Sequence, residues 1–285
     1  MTEILEYLEI PLIQNMFMAT VLACVLCGII GTYVVVNRMV SITGGIAHTT
    51  FGGVGFAYYL MSVYAVSWMT LMLGALIFGI IAAAVMVVCK RFDDLREDSV
   101  IGVLWAMGMA AGVIFMCYVD RSVLVPSSYE TILFGNMLLI DSGKLRIMAV
   151  VTAVVIAVVV LLYRDLRIMT FDRDFAVISG IRVQFLDLVL HVLIAVTCVM
   201  VANVVGIVMI IALMTIPAAM GCLSSKGLRE TMIRSSIYAT SLSVMGLFVS
   251  LVTDTPPGAT VVLVVGFVFV LVLIGKHVME RRSAV

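Results

Sequence analysis

His48 stands in Ser41-Ile-Thr-Gly44-Gly45-Ile-Ala-His48-Thr49-Thr50-Phe-Gly52-Gly53-Val-Gly55, a stretch with no other ionisable side chain. An ionisable group at membrane depth costs roughly 2 to 3 kcal/mol even on lenient insertion scales, so it faces a cavity, a partner or a pathway. At helical spacing Gly44, His48 and Gly52 share one face, with Gly45, Thr49 and Gly53 beside them. Two chemistries fit this strip. Small residues four apart let membrane helices approach closely, with the histidine hydrogen-bonded to a neighbour. Alternatively, the glycines leave open volume beside an imidazole that takes a passing cation, and neutral imidazole suits zinc, copper, iron and nickel.

No enzyme constellation accompanies the histidine. The sequence has no HExxH, no GxSxG and no GxxxxGK[ST]. Without a phosphate-binding loop, any ATP-driven step belongs to another polypeptide. Cys24, Cys27, Cys89, Cys117, Cys198 and Cys222 lie in or beside apolar runs and read as small packed hydrophobes. The methionines show no tight cluster along the sequence and read as core. His191, after Leu188, Val189 and Leu190, reads as hydrogen-bonded to a neighbouring helix, Asn203 as part of a turn, and His277 as a surface residue.

The elements that position His48 follow from composition. Hydrophobic residues make up 64% and charged residues 12%, with a mean hydropathy of +1.25. Soluble domains are about half apolar and a quarter charged, so this is a polytopic membrane protein, an all-α bundle in the lipid bilayer with no nucleic-acid partner. Glu3, Glu6 and Glu9 with no lysine or arginine are the wrong flank for a cleavable signal peptide, so the first apolar run reads as a retained helix. Apolar runs predict spans over Leu12–Val36, Gly45–Tyr64, Thr70–Cys89, Val100–Tyr118, Ile147–Tyr163, Phe185–Met200, Gly206–Cys222, Ser236–Val252 and Ala259–Ile274. That is nine helices, or eight with one re-entrant, in a single membrane domain over residues 1–285.

Alternating the loops places fourteen of the 17 lysines and arginines on one side and leaves only Arg121, Lys144 and Arg146 on the other. By the positive-inside rule the carboxyl terminus is cytoplasmic and the acidic amino terminus outside. Three connections stand out. Residues 120–146 are apolar enough in part to dip into the membrane over an external mouth. Ile216 to Lys226 leaves the membrane through Pro217 and a run of small residues, which suggests a surface where another protein docks. Thr253-Asp254-Thr255-Pro256-Pro257-Gly258 reads as a tight external turn.

Four blocks in chain order resemble the permease subunits of zinc, manganese and iron ABC importers, the metal ABC transporter family. They are Arg38-Met39 with His48 ten residues after the arginine; Phe171-Asp172-Arg-Asp-Phe175-Ala176 with Gly180 and Asp187; Val204-Val205-Gly206 with Ala212-Leu213 and Pro217-Ala218-Ala219; and Asp254-Thr255-Pro256-Pro257-Gly258 with Val261-Val262-Leu263. The resemblance implies a type II ABC-importer-like fold in a prokaryotic cell membrane, a second permease copy, two cytoplasmic ABC ATPase subunits and an extracytoplasmic metal-binding protein. It places ATPase coupling at about residues 217–230, with Pro217, Ala218, Ala219, Gly221, Ser224 and Ser225. Many family members carry an aspartate where this chain has Gly44, and often an acidic residue where it has Asn136, with Glu130 the nearest external substitute.

The expected function is therefore a permease, not an enzyme, with no permanently bound cofactor. It passes a divalent metal, zinc first and manganese second, along a path through His48 lined by Gly44, Gly45, Thr49, Gly52, Glu130 and Asn136. The alternatives are an ABC permease for a metal chelate of siderophore or corrinoid type, for which the glycine strip would supply a wide path, and a secondary transporter driven by an ion gradient without an ATPase.

Overall fold

A computed structural model of the chain describes residues 10–90, 92, 96–119 and 140–283, and these form eleven helices. In chain order they are α1 (Pro11–Val36), α2 (Val40–Val63), α3 (Leu71–Cys89), α4 (Glu97–Cys117), α5 (Ser142–Leu161), α6 (Tyr163–Phe171), α7 (Arg173–Ile178), α8 (Val183–Val205), α9 (Ile207–Ser224), α10 (Leu228–Thr253) and α11 (Pro257–Ser283). Each expected span has its helix, and several helices outrun it. Helix α10 starts at Leu228, well before the expected Ser236, and its first turns hold an Arg234–Glu230 pair at 2.6 Å. Hydropathy registers the apolar stretch of a helix, whereas such i,i+4 pairs carry the helix on into water. Helix α5 starts at Ser142 because the Asp141 side chain accepts from the Lys144 N–H at 2.9 Å and caps it.

Two helices occupy what hydropathy leaves as loop. Helix α6 is amphipathic, with Leu166 and Met169 buried and Arg164 and Arg167 exposed. Helix α7 is capped by the Asp172 side chain, which accepts from the Phe175 N–H at 2.8 Å, and the chain leaves it through Gly180 at φ +78°. Between α8 and α9 the chain turns on one residue, Gly206, whose φ of +89° is a conformation that side-chain-bearing residues rarely adopt. Helix α8 runs on to Val205, so the expected turn residue Asn203 belongs to its last turn.

Among the described residues, seven helices (α1, α3, α4, α5, α8, α10 and α11) are long and apolar enough to cross a membrane. Only 17% of the apolar window of α4, 22% of that of α5 and 17% of that of α11 is buried in the chain, so their outer faces suit lipid. The protein is a multi-pass, all-α membrane protein. Helix α2 is the exception that matters for the site. It has 24 residues and sixteen of them are buried, yet its glycines, threonines, tyrosines and His48 make it less apolar than those seven. It sits inside the bundle against α3, α4, α8 and α9, while α1 packs against α5, α8, α9 and α10.

Glycines set the spacing around α2. A Cβ on Gly108 of α4 would lie 2.5 Å from the Thr49 Cα, and one on Gly52 would lie 2.7 Å from the Gly108 carbonyl oxygen. Gly53 and Gly74 meet backbone to backbone between α2 and α3. All six cysteines are free thiols.

Candidate functional site

His48 is the ninth residue of α2, about 12 Å from its Val40 end. Its side chain is covered by α4. The ring stacks on Trp105 with centroids 4.1 Å apart and planes 13° from parallel, and Nδ1 lies 3.4 Å from the Met109 sulfur. Trp105 and Met109 are four apart on α4, so one helical face supplies both covers. His48 is left 8% exposed, whereas Trp105 is 41% exposed. The Thr49 hydroxyl lies 2.8 Å from the Gly45 carbonyl and 3.1 Å from the Leu104 carbonyl, which ties α2 to α4 one residue beyond the imidazole.

The open volume expected beside the imidazole is not there. A Cβ on Gly44 would lie 3.1 Å from the Ile211 side chain and 3.4 Å from Trp105; one on Gly45 would lie 3.1 Å from Ile101. Gly44, Gly45, Thr49 and Gly52 are all buried, and their small size is used for close helix approach. Sequence reasoning did not find Trp105 and Met109. Their i,i+4 spacing is readable, but nothing in the sequence says that this face of α4 meets α2. Among the described residues, no group of three or more His, Cys, Asp or Glu side chains gathers where a metal ion could sit. The donors beside each other are one imidazole and one thioether. Glu130 and Asn136 lie outside the described residues.

The expected ATPase-coupling residues divide. Pro217, Ala218 and Gly221 are buried, Ala219 and Ser225 half-buried, and Ser224 exposed. A Cβ on Gly221 would overlap the Ser235 hydroxyl and reach 3.0 Å from the Thr231 carbonyl oxygen, so this glycine is taken up by packing on α10. Exposed surface begins at Leu223. Helices α6 and α7 present Phe171, Phe175, Val177 and Ile178 to the outside, the last 83% exposed, and Phe171 shares a cavity wall with Lys226.

His191 is fully buried on α8. Its Nδ1 lies 2.7 Å from the Asp187 carbonyl, which can only accept, so this nitrogen carries the proton. The bond runs within α8, not to a neighbouring helix as expected, and Nε2 is buried without a hydrogen-bond partner among the described residues. The Asp187 carboxylate pairs with Arg173, fastening α7 to α8. Asp187→Ala is expected to loosen α7, read as faster amide exchange over residues 173–178 with α8 still protected. Unchanged exchange there would mean that the pair is not the fastening.

Residues 9–276 match the ABC 3 transport family. An uncharacterized membrane protein of Synechocystis sp. is 33% identical over 268 residues, which cover 94% of this chain and 92% of that protein. The manganese transport system membrane protein MntC of Halalkalibacterium halodurans is 27% identical over 93% of this chain and 88% of its own length. Among solved structures, PsaBC from Streptococcus pneumoniae in complex with Fab shares the fold, with a TM-score of 0.83 at 24% identity over 95% of this chain and 94% of that one. The match over almost the whole length shows that the chain belongs to the ABC 3 transport family.

Proposed function

We propose that the chain, acting as one membrane domain, is the permease subunit of an ATP-driven importer for divalent transition metal ions, zinc ahead of manganese, with His48 as a transient waypoint. Membership of the family and the manganese-transport name of a relative support the class of cargo. The observation that carries the site is a buried imidazole covered by two side chains of a single helix. For an ion to bind at Nδ1, Met109 must move aside. A change in how α4 packs on α2, of the kind alternating access supplies, would do this. An imidazole beside a thioether, with no carboxylate at Gly44, favours the softer zinc ion over manganese. A site with so few donors holds an ion weakly, which suits release. The packed glycine strip supports an ion over a bulky chelate.

The energy comes from two cytoplasmic ATPase subunits, and the ion from an extracytoplasmic binding protein, with a second permease copy completing the path. Charge asymmetry supports a cytoplasmic carboxyl terminus and an external amino terminus. On that side the exposed apolar residues of α6 and α7, of which Phe171 shares a cavity wall with Lys226 and Leu228, offer the ATPase its contact. Phe175→Asp is expected to lower ATPase co-purification about tenfold or more, as loss of a central apolar anchor does. Retention at the wild-type level would move the docking surface elsewhere.

The deciding experiment is uptake of radioactive zinc or manganese into vesicles holding the permease with its ATPase, with and without ATP. ATP-dependent uptake with zinc preferred is expected. Uptake that persists without the ATPase, or transport of a chelate in place of the free ion, would replace this reading.

A further inference from the structure

Two cavities on the outer face of the bundle join end to end. The first, of 550 Å³, lies where α5 and α10 flank α1, with Ile29 of α1, Val159 and Val160 of α5, and Ile233 and Ile237 of α10 in its walls. The second, of 780 Å³, opens beside it between α6 and the start of α10, and is lined by Arg167, Lys226, Arg229 and Arg234. Tyr163, Arg229 and Ile233 line both, so an apolar groove runs directly into a basic mouth. From Arg229 to Ile237 the groove follows α10 for about 12 Å, against roughly 15 Å for the hydrocarbon of one leaflet.

The mouth is more basic than its composition suggests. Its one carboxylate, Glu230, holds Arg234 at 2.6 Å and accepts from the Lys226 backbone N–H at 3.0 Å. Arg167, Lys226 and Arg229 are then left without an ion-pair partner among the described residues. Guanidinium groups match phosphate oxygens in geometry as well as charge, and basic pockets between membrane helices take anionic head groups. A second copy of the chain is a poor occupant, because a two-fold contact would bring the same cationic mouth against itself. The ATPase, seated by the proposed function beside this mouth, would meet its rim but would not enter the apolar half between α5 and α10, which is left to an acyl chain.

We propose that this groove is a binding site for an anionic phospholipid, with the head-group phosphate against Arg229, Arg167 and Lys226 and an acyl chain between α5 and α10. The inference rests on the reading of this end of the bundle as cytoplasmic, but not on which ion is carried. Val160, 67% exposed on the groove wall, gives a way to fill it without touching the charges.

The test is native mass spectrometry of the purified full chain in detergent, offered phosphatidylglycerol, phosphatidylcholine or inorganic phosphate. The wild type is expected to retain phosphatidylglycerol about tenfold or more over phosphatidylcholine, and the double variant Arg167→Glu/Arg229→Glu to lose that preference. Val160→Trp should lower retention of phosphatidylglycerol with the basic mouth intact. Should the charge-reversed chain not fold, Arg167→Gln/Arg229→Gln gives the same readout with no new charge. Equal retention of the two lipids by the wild type, or a preference that survives neutralisation, overturns the proposal. So does displacement by inorganic phosphate at equal concentration, or a shift from dimer to monomer in the variants with lipid retention unchanged. Uptake is not among the readouts, so this outcome is separate from that of the metal-transport reading.

Discussion

Replacing Gly53 by alanine is expected to collapse the yield of folded protein, an effect of about 3 kcal/mol or more at the upper end of overpacking costs. The intrinsic helix preference points the other way, because alanine improves on glycine by about 1 kcal/mol in a helix interior. Packing decides. The new methyl group would overlap the Gly74 carbonyl oxygen, and a Cβ on Gly74 would in turn overlap that of Gly53. Both obstacles are backbone atoms, so no rotamer change relieves them and α2 and α3 have to part along their contact. Gly102 is the control, since a Cβ there meets nothing within 4 Å. Size-exclusion profiles and thermal melts of the two alanine variants should differ sharply. If Gly53→Ala behaves like Gly102→Ala, the α2–α3 contact is not as close as described.

The second large effect is expected at His48. His48→Ala should lower metal uptake by well over half while the chain still assembles, because the side chain lost is small and partly polar and its cover on α4 stays in place. His191→Ala should show the opposite division. His191 is wholly enclosed, so its truncation leaves a cavity and costs stability in the range of about 2 to 4 kcal/mol, with a smaller effect on uptake per folded molecule. Measuring uptake and melting temperature on both variants separates the roles. Full uptake in His48→Ala would end the waypoint reading.

How far the sequence discloses this arrangement depends on the kind of information each part needs. The order of the nine longer helices follows from apolar runs because lipid enforces them one segment at a time. Ends were misjudged where helices continue into water, as α10 does through Arg229, Glu230 and Arg234. Helices α6 and α7 escape hydropathy because they are short and rely on side-chain caps and one buried edge. That His48 lies on a helix of the bundle is legible from the stretch around it. Its surroundings are not, since Trp105 and Met109 reach it through tertiary packing alone. The same blind spot affects Gly221, whose small size serves a close contact with Thr231 and Ser235 of α10.

Helix α2 is rich in glycine and threonine, carries His48, and is mostly buried in the bundle. An insertion machinery that weighs each emerging segment for transfer into the bilayer has less apolar drive to act on here than in the seven spanning helices. Its place in the membrane must then be secured by the helices that enclose it, and α3 and α4 follow it in the chain. During synthesis the histidine helix therefore waits for its own walls. A chain truncated after Val63 should leave α2 outside the bilayer, as glycosylation-site mapping would reveal, and one extended through Cys117 should draw it in.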